Sequence, residues 1–357
     1  MMVRDCLVGS MAALAVDPGS PAGVFVEGQH TAFILESGGR WSGGGRAAVD
    51  NLAEAVALAN ERAGGALRPS AVIPRNVVSA QRLWQGGYLL MPQNALPWLR
   101  KPLPLRIEKH RALLLAGSLA SATRARRMLR ISSAIPDLKG NGEQPIHNVL
   151  DRQFEADLAT SDSLVGRYEE EWGDAVVVPG TVGSYKNTAL VLRAFRAYER
   201  SGGPFRLLLV GPPATPGIQR LLRQRIPEHD GVSWVPRSVD RPALVALLRA
   251  SAAVLLPSCV EASPITLMEA VAVAKHVIAS DLVGHTELLA PYRHNVRFFD
   301  PRSSGALKEA LLTLDRGYTT DTDPQLTTTP GRAAIRQRWV ERVASWLLSS
   351  ELEAGEQ

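Results

Sequence analysis

Residues 251–281 read SAAVLLPSCVEASPITLMEAVAVAKHVIASD, with two apolar runs on either side of a loop and an apolar-striped segment. The run Ala252–Leu256 predicts a buried strand that Pro257 and Ser258 end. A helix is expected to open at Ser263-Pro264, because Ser is a good N-cap and Pro suits the first helical position. The run His276–Ser280 predicts the next strand. The stretch therefore predicts a strand–helix–strand unit whose loop lies where open α/β sheets bind ligands.

Two carboxylates belong to this loop and helix. Glu261 precedes the helix, and Glu269, separated from it by seven residues, lies in its second turn. The N–H groups at the start of the helix favour an anion such as phosphate. A carboxylate is a poor phosphate ligand, but it accepts hydrogen bonds from hydroxyls. This combination suits a ligand with a diphosphate between two polyols, which describes a nucleotide-sugar.

A second strand–loop–helix unit lies upstream. The run Ala175–Pro179 predicts a strand that ends at Gly180-Thr-Val-Gly-Ser-Tyr-Lys186-Asn187, and an apolar-striped helix follows. Lys186 stands at the junction, where an ammonium group can meet a phosphate as a point charge. Strands are also expected at Phe205–Gly211 and Val232–Val235. Alternating strands and helices of this kind predict a parallel sheet covered on both faces.

The segment Glu261-Ala-Ser-Pro-Ile-Thr-Leu-Met-Glu269-Ala, followed by Val277-Ile-Ala-Ser280 and Gly284-His-Thr-Glu287, resembles the Glu-x7-Glu signature of retaining GT-B glycosyltransferases of family four. The resemblance is strong over residues 174–314 and loose over residues 31–151. It implies an α/β fold of the GT-B type, with two Rossmann-like doubly wound domains that face each other across a cleft. It also implies transfer of a hexosyl group from a nucleoside-diphosphate sugar to an acceptor hydroxyl, with retention and without a metal or other cofactor.

The resemblance also assigns roles to individual residues. Glu261, at the donor sugar, and Lys186, at the diphosphate, would be the catalytic residues, and Glu269 would bind the ribose. The remaining expected donor-binding residues are Ser263, Pro264 and Ile265 at the helix start, Thr181, Arg237 beside the base, and Gly44. Thr181 stands where the family frequently has an arginine, which leaves less positive charge for the departing diphosphate.

The first part of the chain supplies weaker signals. A strand at Thr31–Glu36 leads into the glycine-rich segment Ser37–Arg46, which contains Gly44 and either approaches a phosphate or is a flexible connection. A strand at Gly87–Met91 ends near Asn94, whose amide either faces the acceptor, as similar loops in the family do, or caps a turn.

Residues 100–139 carry ten Lys or Arg residues and two acidic ones around the apolar run Ala112–Ala120. A basic and apolar surface suits anionic lipid headgroups, so a peripheral contact with an anionic membrane is expected through Arg100–Arg130. A solvated basic face over a buried apolar stripe is the alternative. Nucleic acid is not expected as a partner, because the segment lacks aromatic residues for base stacking.

Composition bounds the remaining possibilities. A chain of 357 residues with 45% hydrophobic content is long enough for two domains, expected at residues 1–165 and 166–330, with residues 331–357 as a helix returning to the first domain. The formal charge of +5 is too small for a nucleic-acid binder. Two cysteines make neither a disulfide framework nor a zinc site, which favours the cytoplasm, with peripheral contact at the inner membrane face left open.

Asp321-Thr-Asp323 follows no buried strand and is expected to be structural rather than a metal motif.

Two other functional classes remain open at this point. A catalytically weak or inactive GT-B protein could bind sugar nucleotides as a scaffold partner, since Thr181 replaces the usual arginine. An epimerase or phosphorylase on the same fold would need catalytic acids in the first domain or a cofactor-binding lysine, and neither signature is present. The partners expected from the main interpretation are a nucleotide-sugar donor and a saccharide or lipid-linked acceptor.

Overall fold

The computed structural model describes residues 22–24, 33–35, 44–64, 72–74, 88–90, 128–137, 140, 142–226, 231–314 and 322–355. The chain divides into two compact units. One comprises Met1–Asp151 together with Ala334–Gln357, and the other comprises Arg152–Ala333. We call them the first unit and the second unit.

The first unit contains two small sheets. Strands β1 (Ala22–Val24) and β3 (Val72–Pro74) pair antiparallel, whereas β2 (Phe33–Leu35), β4 (Tyr88–Leu90) and β5 (Met128–Leu129) form a parallel sheet in the order β2-β4-β5. The strands predicted around residues 31–36 and 87–91 are therefore confirmed as β2 and β4. Helix α1 (Gly44–Arg62) follows β2 and buries its apolar stripe.

The second unit is built on a parallel sheet of β6 (Ala175–Pro179), β7 (Arg206–Val210), β8 (Val232–Val235), β9 (Ala253–Leu256), β10 (Val277–Ser280) and β11 (Arg297–Phe299). The spatial order is β11-β10-β9-β6-β7-β8. Every residue of β6, β9 and β10 is buried. Continuous apolar strands of this kind are typical of a parallel sheet covered on both faces, so the predicted α/β class is confirmed.

Helices connect these strands: α2 (Arg152–Trp172), α3 (Thr188–Arg200), α4 (Pro216–Arg225), α5 (Arg241–Ala250), α6 (Ile265–Val273), α7 (Val283–Leu289), α8 (Ser304–Leu312) and α9 (Pro324–Thr327). Thr215, Asp240 and Ser303 each accept a backbone N–H of the first turn and so cap α4, α5 and α8. Asp323 caps α9 in the same way, as expected for a structural residue, and Asp321 lies outside the described residues.

Helix α2 has no counterpart in the sequence prediction. Its buried face carries Phe154, Asp157 and Ser161, of which two are polar, so the sequence shows no apolar stripe there. It packs instead through polar contacts with α5, where Arg249 donates to Ser161 at 2.7 Å and to Asp162 at 2.6 Å. These contacts join α2 to α5.

The last helix, α10 (Thr329–Gly355), begins in the second unit and continues into the first. Trp339 and Val343 are buried, and Trp346 donates from its indole N–H to Glu143 of the same unit. Among the residues that the structure describes, no helix has the length and apolar character needed to cross a membrane.

Candidate active site

The candidate site lies at the carboxyl edge of the second unit's sheet, between β6 and β9. These strands are neighbours, but the chain runs from β6 to β7 and β8 on one side and from β9 to β10 and β11 on the other. The order of the strands therefore reverses between β6 and β9. Such a topological switch point leaves a crevice outside the strand ends, where open α/β sheets bind their ligands.

Two loops meet at this crevice. The loop after β6 turns at Gly180, whose φ of 100° is a conformation that glycine adopts readily. The loop ends in a short 3-10 turn at Ser184–Lys186. The loop after β9 leads through Ser258 and Cys259 to α6. The Cys259 N–H donates to the Tyr185 carbonyl at 2.8 Å, so the backbones of the two loops are joined directly.

This contact brings together the two residues predicted to be catalytic. The Lys186 ammonium donates to Glu261 Oε1 at 2.7 Å, and the Ser258 hydroxyl donates to the same oxygen at 2.8 Å. The Lys186 and Glu261 side chains are 15% and 14% exposed, so the ion pair is mostly withdrawn from water and yet reachable from it. The residues are 75 positions apart in the chain, and the sheet topology alone places them side by side.

The environment of Glu261 favours its ionised form. Burial raises the pKa of this carboxyl, but the charge and hydrogen bond of Lys186, with a smaller contribution from Ser258, outweigh burial and bring the pKa below its ordinary value. Glu261 is therefore a carboxylate at neutral pH, able to accept hydrogen bonds from hydroxyl groups.

A buried histidine supports this loop, and sequence reasoning gave it no role. His285 of α7 is 1% exposed, and its Nδ1–H donates to the Ser280 carbonyl at the end of β10, at 2.7 Å. Burial lowers the pKa of His285, although the nearby charge of Glu261 partly opposes the shift, so the imidazole is neutral. Gly284, which precedes it, lies so close to the Glu261 loop that a Cβ there would be 2.2 Å from the Ala262 carbonyl oxygen. The signal available in the sequence was the glycine–histidine pair that begins four residues after the end of a predicted strand.

The start of α6 differs slightly from the prediction. The helix runs from Ile265, and Pro264 occupies the cap position without a side-chain cap bond. The prediction that Ser263 caps the helix and Pro264 is its first residue is therefore wrong by one position, because Pro264 adopts an extended conformation with ψ of 117°. Ser263 and Ile265 are buried beside it. The Leu267 N–H is bonded to the Pro264 carbonyl at 3.0 Å, so Ile265 and Thr266 carry the N–H groups that precede the first bond within the helix.

Glu269 takes part in a different ion pair. It lies in the second turn of α6 as predicted and is 3% exposed. The Arg241 Nε–H donates to Glu269 Oε1 at 2.9 Å, and Asp157 Oδ2 lies 3.5 Å from the same nitrogen. Arg241 is the first residue of α5, and sequence reasoning did not connect it with Glu269. Nothing in local spacing indicates a contact between side chains 28 positions apart.

The other predicted residues are placed less centrally. Thr181 is half-buried and lines a small pocket with Gly180, Val182, Lys186 and Thr188. Arg237 is exposed in the loop after β8. Gly44 is the first residue of α1 in the first unit, and Asn94 lies outside the described residues.

Of the basic segment Arg100–Arg130, the structure describes residues 128–130. The Arg130 guanidinium donates to the carbonyls of Ile135 and Glu143, at 3.2 and 2.6 Å, and the side chain is 11% exposed. This arginine therefore holds its own loop. Among the described residues, no group of His, Cys, Asp and Glu side chains is arranged to hold a metal ion.

Comparison with known proteins agrees with this geometry. Residues 173–316 match the family model described as Glycosyl transferases group 1, and that range contains both loops of the crevice. No curated protein matches the chain.

Solved structures resemble the chain over most of its length. The Anabaena protein HepE in complex with UDP-glucose has a TM-score of 0.57 at 16% sequence identity, covering 89% of this chain and 98% of that one. Sucrose-phosphate synthase from Thermosynechococcus elongatus has a TM-score of 0.55 at 17% identity, covering 95% of this chain and 87% of that one. At such identities the likeness shows the fold, which is α/β of the GT-B type. Residues 173–316 are therefore similar to the glycosyl transferases group 1 family, and the chain has the fold of GT-B glycosyltransferases.

Proposed function

We propose that this protein is a retaining hexosyltransferase that moves a hexosyl group from a nucleoside-diphosphate sugar to an acceptor hydroxyl. The observation that carries the proposal is the Lys186–Glu261 contact of 2.7 Å at the switch point of the sheet. It places a cation suited to phosphate beside a carboxylate suited to sugar hydroxyls, at the edge where this architecture binds ligands.

The proposed chemistry depends on stabilising the departing diphosphate. As the bond between the anomeric carbon and the phosphate oxygen breaks, negative charge grows on the diphosphate, and the acceptor oxygen bonds to the same face of the sugar. Lys186 and the N–H groups at the start of α6 are the groups that would stabilise this charge, and such preorganised stabilisation commonly contributes more to catalysis than any other effect. The acceptor proton leaves with the departing phosphate oxygen.

Binding of the donor would also rearrange the ion pair. The diphosphate would replace Glu261 as the partner of Lys186, and the carboxylate would then accept a hydroxyl of the donor sugar. Glu269 would bind the ribose. Thr181 offers a hydroxyl in place of a second cation, so the site relies on Lys186 for its positive charge.

The reaction is expected to need no metal ion or other cofactor, because Lys186 and the helix start supply the positive potential that a metal would otherwise provide. Turnover should be the same in a chelator such as EDTA as in added Mg²⁺. A large loss of activity in EDTA, restored by one divalent cation, would contradict this expectation.

Polysaccharide, glycolipid or glycoside biosynthesis is the proposed setting, with a saccharide or lipid-linked acceptor in the cytoplasm. Peripheral contact with an anionic membrane through Arg100–Arg130 remains part of the proposal. HepE was solved with UDP-glucose, so UDP-sugars are the first donors to test.

The stereochemistry of the products tests the proposed reaction. Glycosyltransferases commonly hydrolyse their donor slowly when water replaces the acceptor, so the first-released anomer can be observed by NMR before mutarotation. An α-linked nucleotide-sugar should release the α-anomer. Release of the β-anomer would contradict retention. Tight donor binding with no release of sugar would favour the non-catalytic scaffold.

A further inference from the structure

Three helices of the second unit meet at one mostly buried arginine. Arg241 is the first residue of α5, Glu269 belongs to α6 and Asp157 belongs to α2. The Arg241 Nε atom is 2.9 Å from Glu269 Oε1 and 3.5 Å from Asp157 Oδ2. The side chains of Arg241, Glu269 and Asp157 are 15%, 5% and 8% exposed. Charges so far from water must be paired with good geometry, since removing one partner leaves another buried and uncompensated.

An aromatic ring fixes the position of this guanidinium. The Arg241 Cζ atom is 5.6 Å from the centroid of the Phe154 ring, which is fully buried. The Arg332 Cζ atom is 5.5 Å from the centroid of the same ring, and the Arg332 guanidinium donates a hydrogen bond to Glu155. A cation at this distance from a ring is attracted to it, and a planar guanidinium is held in one orientation. Arg241 thus contacts both the Phe154 ring and the Glu269 carboxylate.

The position of Arg241 in the fold connects it with the candidate site. Helix α5 begins just beyond the carboxyl end of β8, at the same edge of the sheet as the loops after β6 and β9. The Arg237 loop, expected beside the nucleotide base, directly precedes the helix. Arg241 therefore lies four positions after Arg237 of the loop expected beside the base, and it contacts the carboxylate expected to bind the ribose.

We propose that Arg241 is a positioning residue for nucleotide recognition, which orients Glu269 so that this carboxylate accepts hydrogen bonds from the ribose hydroxyls. The proposal rests on the proposed function, because it assumes that a ribonucleotide binds at this site. It differs from a purely structural role for the ion pair, which would join α5 to α6 without affecting any ligand hydroxyl.

The two roles are separated by ligands that lack the ribose hydroxyls. Binding would be measured by calorimetry for the best binder among UDP, GDP and ADP, and for its 2′,3′-dideoxy counterpart. Wild-type protein should bind the ribonucleotide at least about tenfold more tightly, because a site built to bind hydroxyls is left with unpaired polar groups by the analogue. Arg241→Gln should lose about tenfold affinity for the ribonucleotide and less than about twofold for the dideoxy form.

Arg249→Gln is the matched control. Arg249 lies on the same helix and also pairs with a carboxylate of α2, Asp162, at 2.6 Å. Its loss removes a similar contact between the helices without touching Glu269, so affinity for both ligands should stay unchanged. Arg241→Lys, which keeps a cation at the position, serves if the glutamine variant does not fold, and it should lose at least about threefold of the discrimination.

Each outcome supports or overturns the proposal. An equal loss for both ligands in Arg241→Gln, or unchanged discrimination in either Arg241 variant, would show that the residue is only structural. Equal binding of both ligands by wild-type protein would show that the protein makes no contact with the ribose hydroxyls, although it still binds the nucleotide. No binding of any nucleotide by wild-type protein would instead overturn the proposed function on which this inference rests.

Discussion

At the scale of single residues, the candidate site depends on which partner each charge has. Lys186 and Glu261 neutralise each other at 2.7 Å, and both are mostly buried. An anionic ligand must therefore compete with Glu261 for the ammonium group. Binding of the ligand is favourable because Lys186 exchanges one carboxylate for a doubly charged diphosphate. The N–H groups at the start of α6 stabilise the same diphosphate.

Removing the cation should weaken binding of a diphosphate selectively. We expect Lys186→Met to lower affinity for a nucleoside diphosphate by about tenfold or more, since a charge-assisted contact in a partly buried site contributes on the order of 1.5–3 kcal/mol. Affinity for the matching monophosphate should change less. Titration calorimetry with both ligands measures the difference.

Lys275→Met is the control for that experiment. Lys275 also pairs with a glutamate, Glu169, at 2.8 Å, but it is 47% exposed and lies away from the crevice. Its removal should leave both affinities unchanged. Equal behaviour of the Lys186 and Lys275 variants would place the diphosphate elsewhere.

Gly284 is expected to tolerate no side chain. A Cβ at this position would lie 2.2 Å from the Ala262 carbonyl oxygen and 2.6 Å from that of Glu261, so the backbone of the Glu261 loop must move. Gly284→Ala should lower the free energy of unfolding by about 1–3 kcal/mol and also weaken donor binding. Gly166→Ala, in α2 where no atom beyond the local helix backbone lies within 4 Å of the added methyl, should be neutral or slightly stabilising. A stable Gly284→Ala protein with normal affinity would contradict the close approach.

At the scale of elements, helix α7 is joined to the end of β10 by His285, whose Nδ1–H donates to the Ser280 carbonyl at 2.7 Å. Because burial lowers the pKa of His285 in the folded protein, the unfolded chain takes up a proton at higher pH than the folded one. The stabilising contribution is complete above the ordinary pKa of 6.5 and is lost progressively as the pH falls from that value through the lowered pKa of the folded protein.

The variant His285→Asn keeps an N–H donor near the position of Nδ1 but does not titrate. We expect the free energy of unfolding of wild-type protein to fall more steeply than that of His285→Asn between about pH 7 and about pH 5. His276 and His294, whose pKa values are also lowered by burial, are present in both proteins, so their contributions to the two slopes cancel. Chemical denaturation at a series of pH values measures the slopes, and parallel slopes would contradict the neutral state of buried His285.

Helix α2 shows why some elements could not be predicted. Its buried positions include Asp157 and Ser161, so the polar sequence shows no apolar stripe that would predict a helix. These two residues contact Arg241 and Arg249, which belong to a distant segment of the chain. By contrast, the strands at Ala175–Pro179 and Val232–Val235 were predicted with their observed bounds, because continuous apolar runs between turn residues are a local signal.

At the scale of the whole molecule, the sheet order determines what the sequence could indicate about the site. The spacing of Glu261 and Glu269 and the strand before them predicted the loop and helix, and Lys186 was predicted from an independent loop. That Lys186 and Glu261 touch follows from β6 and β9 being neighbours, which is a property of the topology rather than of either segment. The Arg241–Glu269 pair has no sequence signal of its own, because it depends on how α5 and α6 pack.

The central claim is that the crevice between β6 and β9 binds a nucleoside-diphosphate sugar. The most direct test is the melting temperature of the full chain against UDP-, GDP-, ADP- and dTDP-sugars without metal, since a ligand that binds only the native state raises it by mass action. We predict a rise with one nucleotide class, lost in Glu269→Ala and reduced in Lys186→Met. No rise with any of these ligands at millimolar concentration would contradict the claim.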